Sequence, residues 1–358
     1  MKNQLNSQGF FKGLKVVELA NILAGPSVGM FFAEMGAEVI KIENKTTNGD
    51  ITRSWKLPNE PKDNNYSAYY CSINYHKKVL LLDLNKAADL EVVYEHIRSA
   101  DIVITNFKSA SADKIGIGFE QLQALNSTLI IGHLKGFPDG ERPAFDVVLQ
   151  AETGFLYMTG EKNRPPAKLP VALIDVLAAH QLKEALLIAL LHQARTGKGS
   201  VVSVSLYEAA IASLVNQATN WLMANHIPQK MGTQHPNIAP YGDLLFTKDD
   251  KMIVLAVGTE RHYQSLCKVF PLDALKNKVF STNTLRVQNR DQLVEILAKA
   301  FLKENSETIM KRLLDAKIPA GLVRNMKEVF SEKSAQNMIL EEVFEDGRMT
   351  KRVKTVVF

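Results

Sequence analysis

Hydrophobic and polar residues alternate along the first half of the chain in two rhythms. Short runs rich in Val, Ile and Leu recur at residues 14–19, 38–42, 79–84, 101–106 and 129–134. Between them, residues 25–35, 89–99 and 119–126 space their apolar positions as helices do. Gly25-Pro26 opens the first of these helices, with proline at a favoured first-turn position, and Gly36 closes it. Short apolar strands separated by helices predict an α/β fold, a Rossmann-like doubly wound and mostly parallel sheet.

The middle of the chain predicts a long helix over 176–194, dense in Ala, Leu, Gln, Lys and Glu, stopped by Gly197 and Gly199. A strand over 201–206 follows, then a single helix over 207–224. Residues 226–240 form a connector punctuated by Pro and Gly, which predicts a domain boundary. Beyond it, 244–247 and 252–257 flank Lys248-Asp249-Asp250-Lys251 as a hairpin. Helical patterns at 262–270, 290–302 and 306–316 make the second, smaller domain α/β as well. The expected division is a large domain over 1–224, a linker and small domain over 225–325, and a tail over 326–358 that returns to the large domain.

Composition narrows the function classes. The 358 residues are 46% hydrophobic and 23% charged, enough for two cores and too apolar for disorder. Cys71 and Cys267 form no CxxC pair, which argues against a disulfide framework and for a reducing, cytoplasmic setting. Residues 1–13 lack the apolar core of a signal peptide. The greasiest stretch, 176–193, is interrupted by His180, Lys183 and Glu184, so no membrane span is expected. The net charge of +5 is spread rather than massed in a basic stripe, so nucleic acid is not an expected partner.

Few residues stand out as chemistry. The turn at Gly25-Pro26 lacks the GxGxxG of a dinucleotide site, and Thr196-Gly197-Lys198-Gly199-Ser200 lacks the upstream glycine of a phosphate loop. The eight histidines show no metal-ligand spacing, and no GxSxG is present. No metal is expected. Asp175 is the most informative carboxylate. It follows a proline-led extended run and precedes the long helix, where the ordinary reading is an N-cap. The same position has a chemical reading. A carboxylate at the positive end of a helix stays ionised and can attack an activated acyl group.

Taken in order, several segments resemble the family III CoA-transferases, whose superfamily also holds α-methylacyl-CoA racemases. The resemblance opens with Val16-Val17-Glu18-Leu19, Ala24-Gly25-Pro26 and the run from Met35 to Glu43, and continues through Gly49-Asp50 and Arg53. It includes DIVITNF at 101–107, Lys135-Gly136-Phe137, Arg142-Pro143-Ala144-Phe145-Asp146, Thr196-Gly197-Lys198-Gly199, His235-Pro236-Asn237, Pro240-Tyr241-Gly242 and the run from Ile318 to Val323. It spans about residues 13 to 345, and its strength lies in the order and spacing of the motifs.

The resemblance implies that Asp175 is the catalytic nucleophile, forming aspartyl anhydride and aspartyl-CoA thioester intermediates between an acyl-CoA and a free carboxylic acid. It places coenzyme A contacts on Ile22, Leu23, Ala24, Asn106, Phe107 and Lys114. Asp146, His235 and Tyr241 become substrate-side candidates. It also implies an intertwined homodimer. Three departures accompany it. Asn44 and Lys114 stand where relatives carry arginine, and 225–247 holds no glycine-rich covering loop. Relatives also continue beyond the region of 351–354 with a further segment. A racemase needs a base on each face of the α-carbon. Where those enzymes place a histidine, this chain has Phe145, and His133 is expected to be aimed elsewhere by its strand. The transferase reading is preferred, with a 2-methylacyl-CoA racemase or a non-catalytic CoA-binding protein as the alternatives.

Overall fold

The computed structural model describes residues 9–140, 142–344 and 346–358. Residues 1–8, most of the segment read as lacking a signal peptide, lie outside them. The chain divides into two compact units. The larger holds residues up to Leu156, Lys168–Ile227 and Asn337–Phe358; the smaller holds Tyr157–Ala167 and Pro228–Gln336.

In the larger unit six strands form one parallel sheet: β1 (Lys15–Leu19), β2 (Glu38–Asn44), β3 (Lys77–Leu82), β4 (Ile102–Thr105), β5 (Ile130–Lys135) and β6 (Ser200–Ser205). Their order is β3-β2-β1-β4-β5-β6, with every pairing parallel. The sheet is doubly wound, and its order reverses between β1 and β4. Alternate residues of the four inner strands, β1, β2, β4 and β5, feed two cores. Val16, Val39, Ile102, Ile104 and Ile130 pack beneath the helices Ala24–Glu34 and Leu173–Thr196. Val17, Leu19, Ile40, Ile42, Val103 and Ile131 meet Val93 and Ile97 of the helix Ala87–Arg98 and Leu122 of the helix Phe119–Leu125. Both faces are covered, which is why these strands read as continuous apolar runs.

Among the positions that break that apolar rule, one pair faces the first core. Glu18 of β1 and Lys41 of β2 are paired in register on the face beneath Ala24–Glu34, and both are fully buried. Gly29 of that helix makes room for them, because a Cβ there would collide with the Glu18 carboxylate.

Two helical expectations are corrected. The long helix begins at Leu173, with Ala172 as its N-cap, so Asp175 is its third residue rather than its cap. The predicted helix over 207–224 is two helices, Leu206–Ala212 and Val215–Ala224, parted at Ser213-Leu214. Val215 there takes a positive φ of 46°.

The smaller unit carries an antiparallel sheet of β7 (Tyr241–Phe246), β8 (Met252–Ala256) and β9 (Ala320–Leu322), with β8 central. Its core gathers Leu255, Leu266, Phe280, Leu297, Phe301 and Leu313. The tail adds the hairpin β10 (Ile339–Val343) and β11 (Met349–Val353) to the larger unit. Glu34 then accepts the backbone N–H groups of Thr355 and Val356, and Val356 is buried in the first core.

Candidate active site

Where the sheet order reverses, the loops after β1 and β4 diverge and leave a crevice at the carboxyl ends of the strands. A cavity of about 410 Å³ lies there, a size suited to a small-molecule ligand. Its wall includes Asn21 to Ala24 after β1, Asn106 to Ser109 after β4, the end of β5, Asp139, Gly140 and the run from Arg142 to Phe145. Asp175 lines it as well.

Asp175 reaches the cavity from the first turn of Leu173–Thr196. The cap of that helix comes from elsewhere in the chain. Asp146, buried at the start of the helix Asp146–Glu152, accepts the N–H of Ile174 at 2.8 Å. The amide Nε2 of Gln150 donates to the other Asp146 oxygen at 2.5 Å, and Gln150 Oε1 accepts the N–H of Leu169. Asp146 is thus taken up in fixing the start of the long helix, and it does not line the cavity.

Among the described residues, Asp175 itself receives no such support. Burial, then the neighbouring Asp146 charge, push its carboxyl up to about 7. The sequence reading that a helix N-terminus keeps it fully ionised is therefore corrected. Loss of solvation outweighs the helix dipole, which supplies at most about 1–2 kcal/mol. The half-buried Tyr69 lies in the same field. Burial, then Asp175, raise its phenol to about 12, so it stays a hydroxyl donor at neutral pH.

Of the residues on which the resemblance places coenzyme A contacts, Ile22, Leu23, Ala24, Asn106 and Phe107 line the cavity. Lys114 does not; it sits in the last turn of the helix Ser109–Ile115. His235 and Tyr241 belong to the smaller unit, where their rings meet edge to face at 5.2 Å. His133, expected to point away, lines the cavity. Its Nε2 lies 3.0 Å from the Phe107 carbonyl oxygen, which can only accept, so Nε2 carries the proton. Burial lowers its pKa, so the ring is neutral. Lys135 and Arg142 bring positive charge to the wall; Lys135 donates to the Pro138 carbonyl, and Arg142 pairs with Glu152 and lies over the Phe137 ring. Sequence reasoning quoted both only as motif positions, although Lys135 ends a strand beside the reversal point, where ligands bind in such sheets. Among the described residues, no group of three His, Cys, Asp or Glu side chains is arranged to hold a metal ion.

A family model described as CoA-transferase family III matches residues 11–358. The chain belongs to that family. A succinate–glutarate CoA-transferase of Agrobacterium fabrum is 32% identical over the whole of this chain and 91% of its own length. A succinyl-CoA:glutarate CoA-transferase of Homo sapiens is 29% identical over 92% of this chain and 75% of its own length. Among solved structures, a CAIB/BAIF family protein from Brucella suis superposes with a TM-score of 0.86 at 32% identity, covering 98% of this chain and 93% of that one. The relatives are named as CoA-transferases of succinate, glutarate and mesaconate. Among the described residues, no helix is long and apolar enough to cross a membrane.

Proposed function

We propose that this family III CoA-transferase moves CoA from an acyl-CoA to a free dicarboxylic acid, with Asp175 as the nucleophile. The observation that carries this reading is the place of Asp175. It is a carboxylate without a hydrogen-bonding partner among the described residues, on the wall of the cavity at the sheet reversal, poised near neutral pH. The relatives named for succinate, glutarate and mesaconate support a dicarboxylate as acceptor.

The exchange runs through balanced acyl transfers. The Asp175 carboxylate adds to the thioester carbonyl; the C–S bond breaks, CoA leaves as thiolate and a mixed anhydride remains. The thiolate adds to the Asp175 carbonyl, expelling the donor acid as carboxylate and leaving an aspartyl-CoA thioester. The acceptor carboxylate displaces the thiolate to form a second anhydride. The thiolate then takes the acceptor acyl group and frees Asp175. Each addition builds an oxyanion. The helix Ala24–Glu34 starts at the cavity wall with no side-chain cap, and its first N–H groups are suited to stabilise that charge. Ile22 to Ala24, Asn106 and Phe107 would bind the cofactor portion, with Lys135 and Arg142 beside its phosphates.

His133 gives α-proton chemistry one point of support, since a neutral imidazole lines the same cavity. Its proton-bearing nitrogen is engaged by Phe107, and Phe145 supplies no second base. Solvent deuterium entering the α-position of a 2-methylacyl-CoA without acyl exchange would favour that reading.

The test combines trapping and turnover. An acyl-CoA is mixed with the protein and hydroxylamine or borohydride, and Asp175 is examined by mass spectrometry. An adduct at Asp175 supports the mechanism. Absence of any adduct across several acyl-CoAs, with wild-type turnover in Asp175→Ala, refutes it. A homodimer and a reducing, cytoplasmic setting belong to the same reading. They are supported by exposed Ile188, Leu191, Leu222 and Met223 on two helices and by the free thiols of Cys71 and Cys267.

A further inference from the structure

Ile22 takes a φ of 77°. That left-handed conformation is unfavourable for a β-branched residue, whose side chain crowds the adjoining backbone. Such a residue persists only where its surroundings hold it. Ile22 lies between β1 and the helix Ala24–Glu34, inside the stretch that lines the cavity.

The surroundings are unusually complete. Asp50 Oδ2 accepts the Ile22 N–H at 3.1 Å. Lys41 Nζ donates to the Ala20 carbonyl at 2.7 Å, and Lys77 Nζ to the Pro26 carbonyl at 2.8 Å. Asn106 clasps Asn21 through its N–H and its carbonyl, at 3.3 and 3.1 Å. The charged members are linked in turn. Lys41 lies 3.2 Å from Asp50 and 2.8 Å from Glu18, and Lys77 lies 2.8 Å from the other Glu18 oxygen. All four of these side chains are fully buried. Behind them, Glu43 accepts the Asp50 N–H at 2.9 Å and pairs bidentately with Arg53.

Stability alone is a poor reason for this cluster, because buried ion pairs often stabilise less than apolar residues of the same volume. Its handles instead converge on one short stretch, residues 20–26. We propose that Asp50, acting with Lys41 and Glu18, is a positioning residue that holds the Ile22 turn in its left-handed form. It thereby fixes the wall against which coenzyme A lies. This rests on the reading of the cavity as the CoA site.

The test is titration calorimetry of the full chain with free coenzyme A, alongside steady-state kinetics. In Asp50→Asn, CoA affinity is expected to fall about tenfold and KM for the acyl-CoA to rise about as much, with kcat changed less than about threefold. Adding Ile22→Gly to that variant should recover at least about threefold of the loss, because glycine adopts positive φ without strain. A merely structural contribution would lower the melting temperature and gain nothing from the glycine. Equal CoA affinity in wild type and Asp50→Asn, or failure of the glycine rescue, overturns the proposal. Where Asp50→Asn does not fold, Ile22→Pro decides, since proline excludes positive φ and removes the N–H that Asp50 accepts. Loss of CoA binding in a folded Ile22→Pro supports the proposal, and wild-type binding overturns it. A wild-type chain that binds no CoA overturns the cavity reading and this proposal together.

Discussion

Asp175 must shed its proton to attack, and its surroundings resist that. With a carboxyl held near 7 by burial and by Asp146, kcat/KM should fall about tenfold per unit as pH drops below about 7. A pH–rate profile checks this. Asp146→Asn keeps an oxygen for the Ile174 N–H but removes the charge, so the midpoint should move toward acid. It should move only part of the way, because burial is the larger cause. Asp175→Ala should lower kcat by at least about a thousandfold. It should also make the fold more stable at pH 8. A carboxyl whose folded pKa lies above its unfolded one favours the folded state only while protonated, and that advantage is lost as pH rises from about 4 through 7. Removing it should raise stability at pH 8 by about 1–2 kcal/mol after solvent screening of this half-buried group, and change little at pH 4. Thermal melts at the two pH values read the difference. Asp175 was legible as a residue of interest from the extended run before it, but its pKa was not. That value comes first from burial, which only the packed fold sets, and then from Asp146, 29 positions away.

The helix Ala24–Glu34 can lie over β1 and β2 only because Gly29 leaves space for the Glu18 carboxylate. Gly29→Ala should therefore cost about 1–3 kcal/mol, measured by denaturant unfolding, although alanine ordinarily favours a helix. The strands of the main sheet were legible because β-branched runs buried on both faces leave an unbroken apolar signature. Glu18 and Lys41 were not recognisable as a buried pair. In sequence a charged residue within a strand looks like a solvated one, and only the β1–β2 register brings the two together. The break at Ser213-Leu214 was hidden for another reason. No glycine or proline marks it, and the positive φ falls on Val215, a residue type that propensity would keep out of such a conformation.

At the scale of the whole molecule, the α/β architecture and doubly wound topology followed from the alternation of strands and helices. The smaller unit takes in Tyr157–Ala167, which lies far from the rest of that unit in sequence. Exposed Ile188 and Leu222 suit an interface between copies. Sedimentation should show a dimer that Ile188→Lys or Leu222→Lys weakens. The turn at Ile22 bears on how the chain reaches its native state. Its restraints come from residues 41, 50, 77 and 106, all later in sequence and none of them local. The cavity wall therefore closes only after β2, β3 and β4 have docked around β1. Contacts of such sequence separation form slowly. In refolding from denaturant, helical circular dichroism should return first and CoA binding later, so ligand binding would time the completion of the sheet.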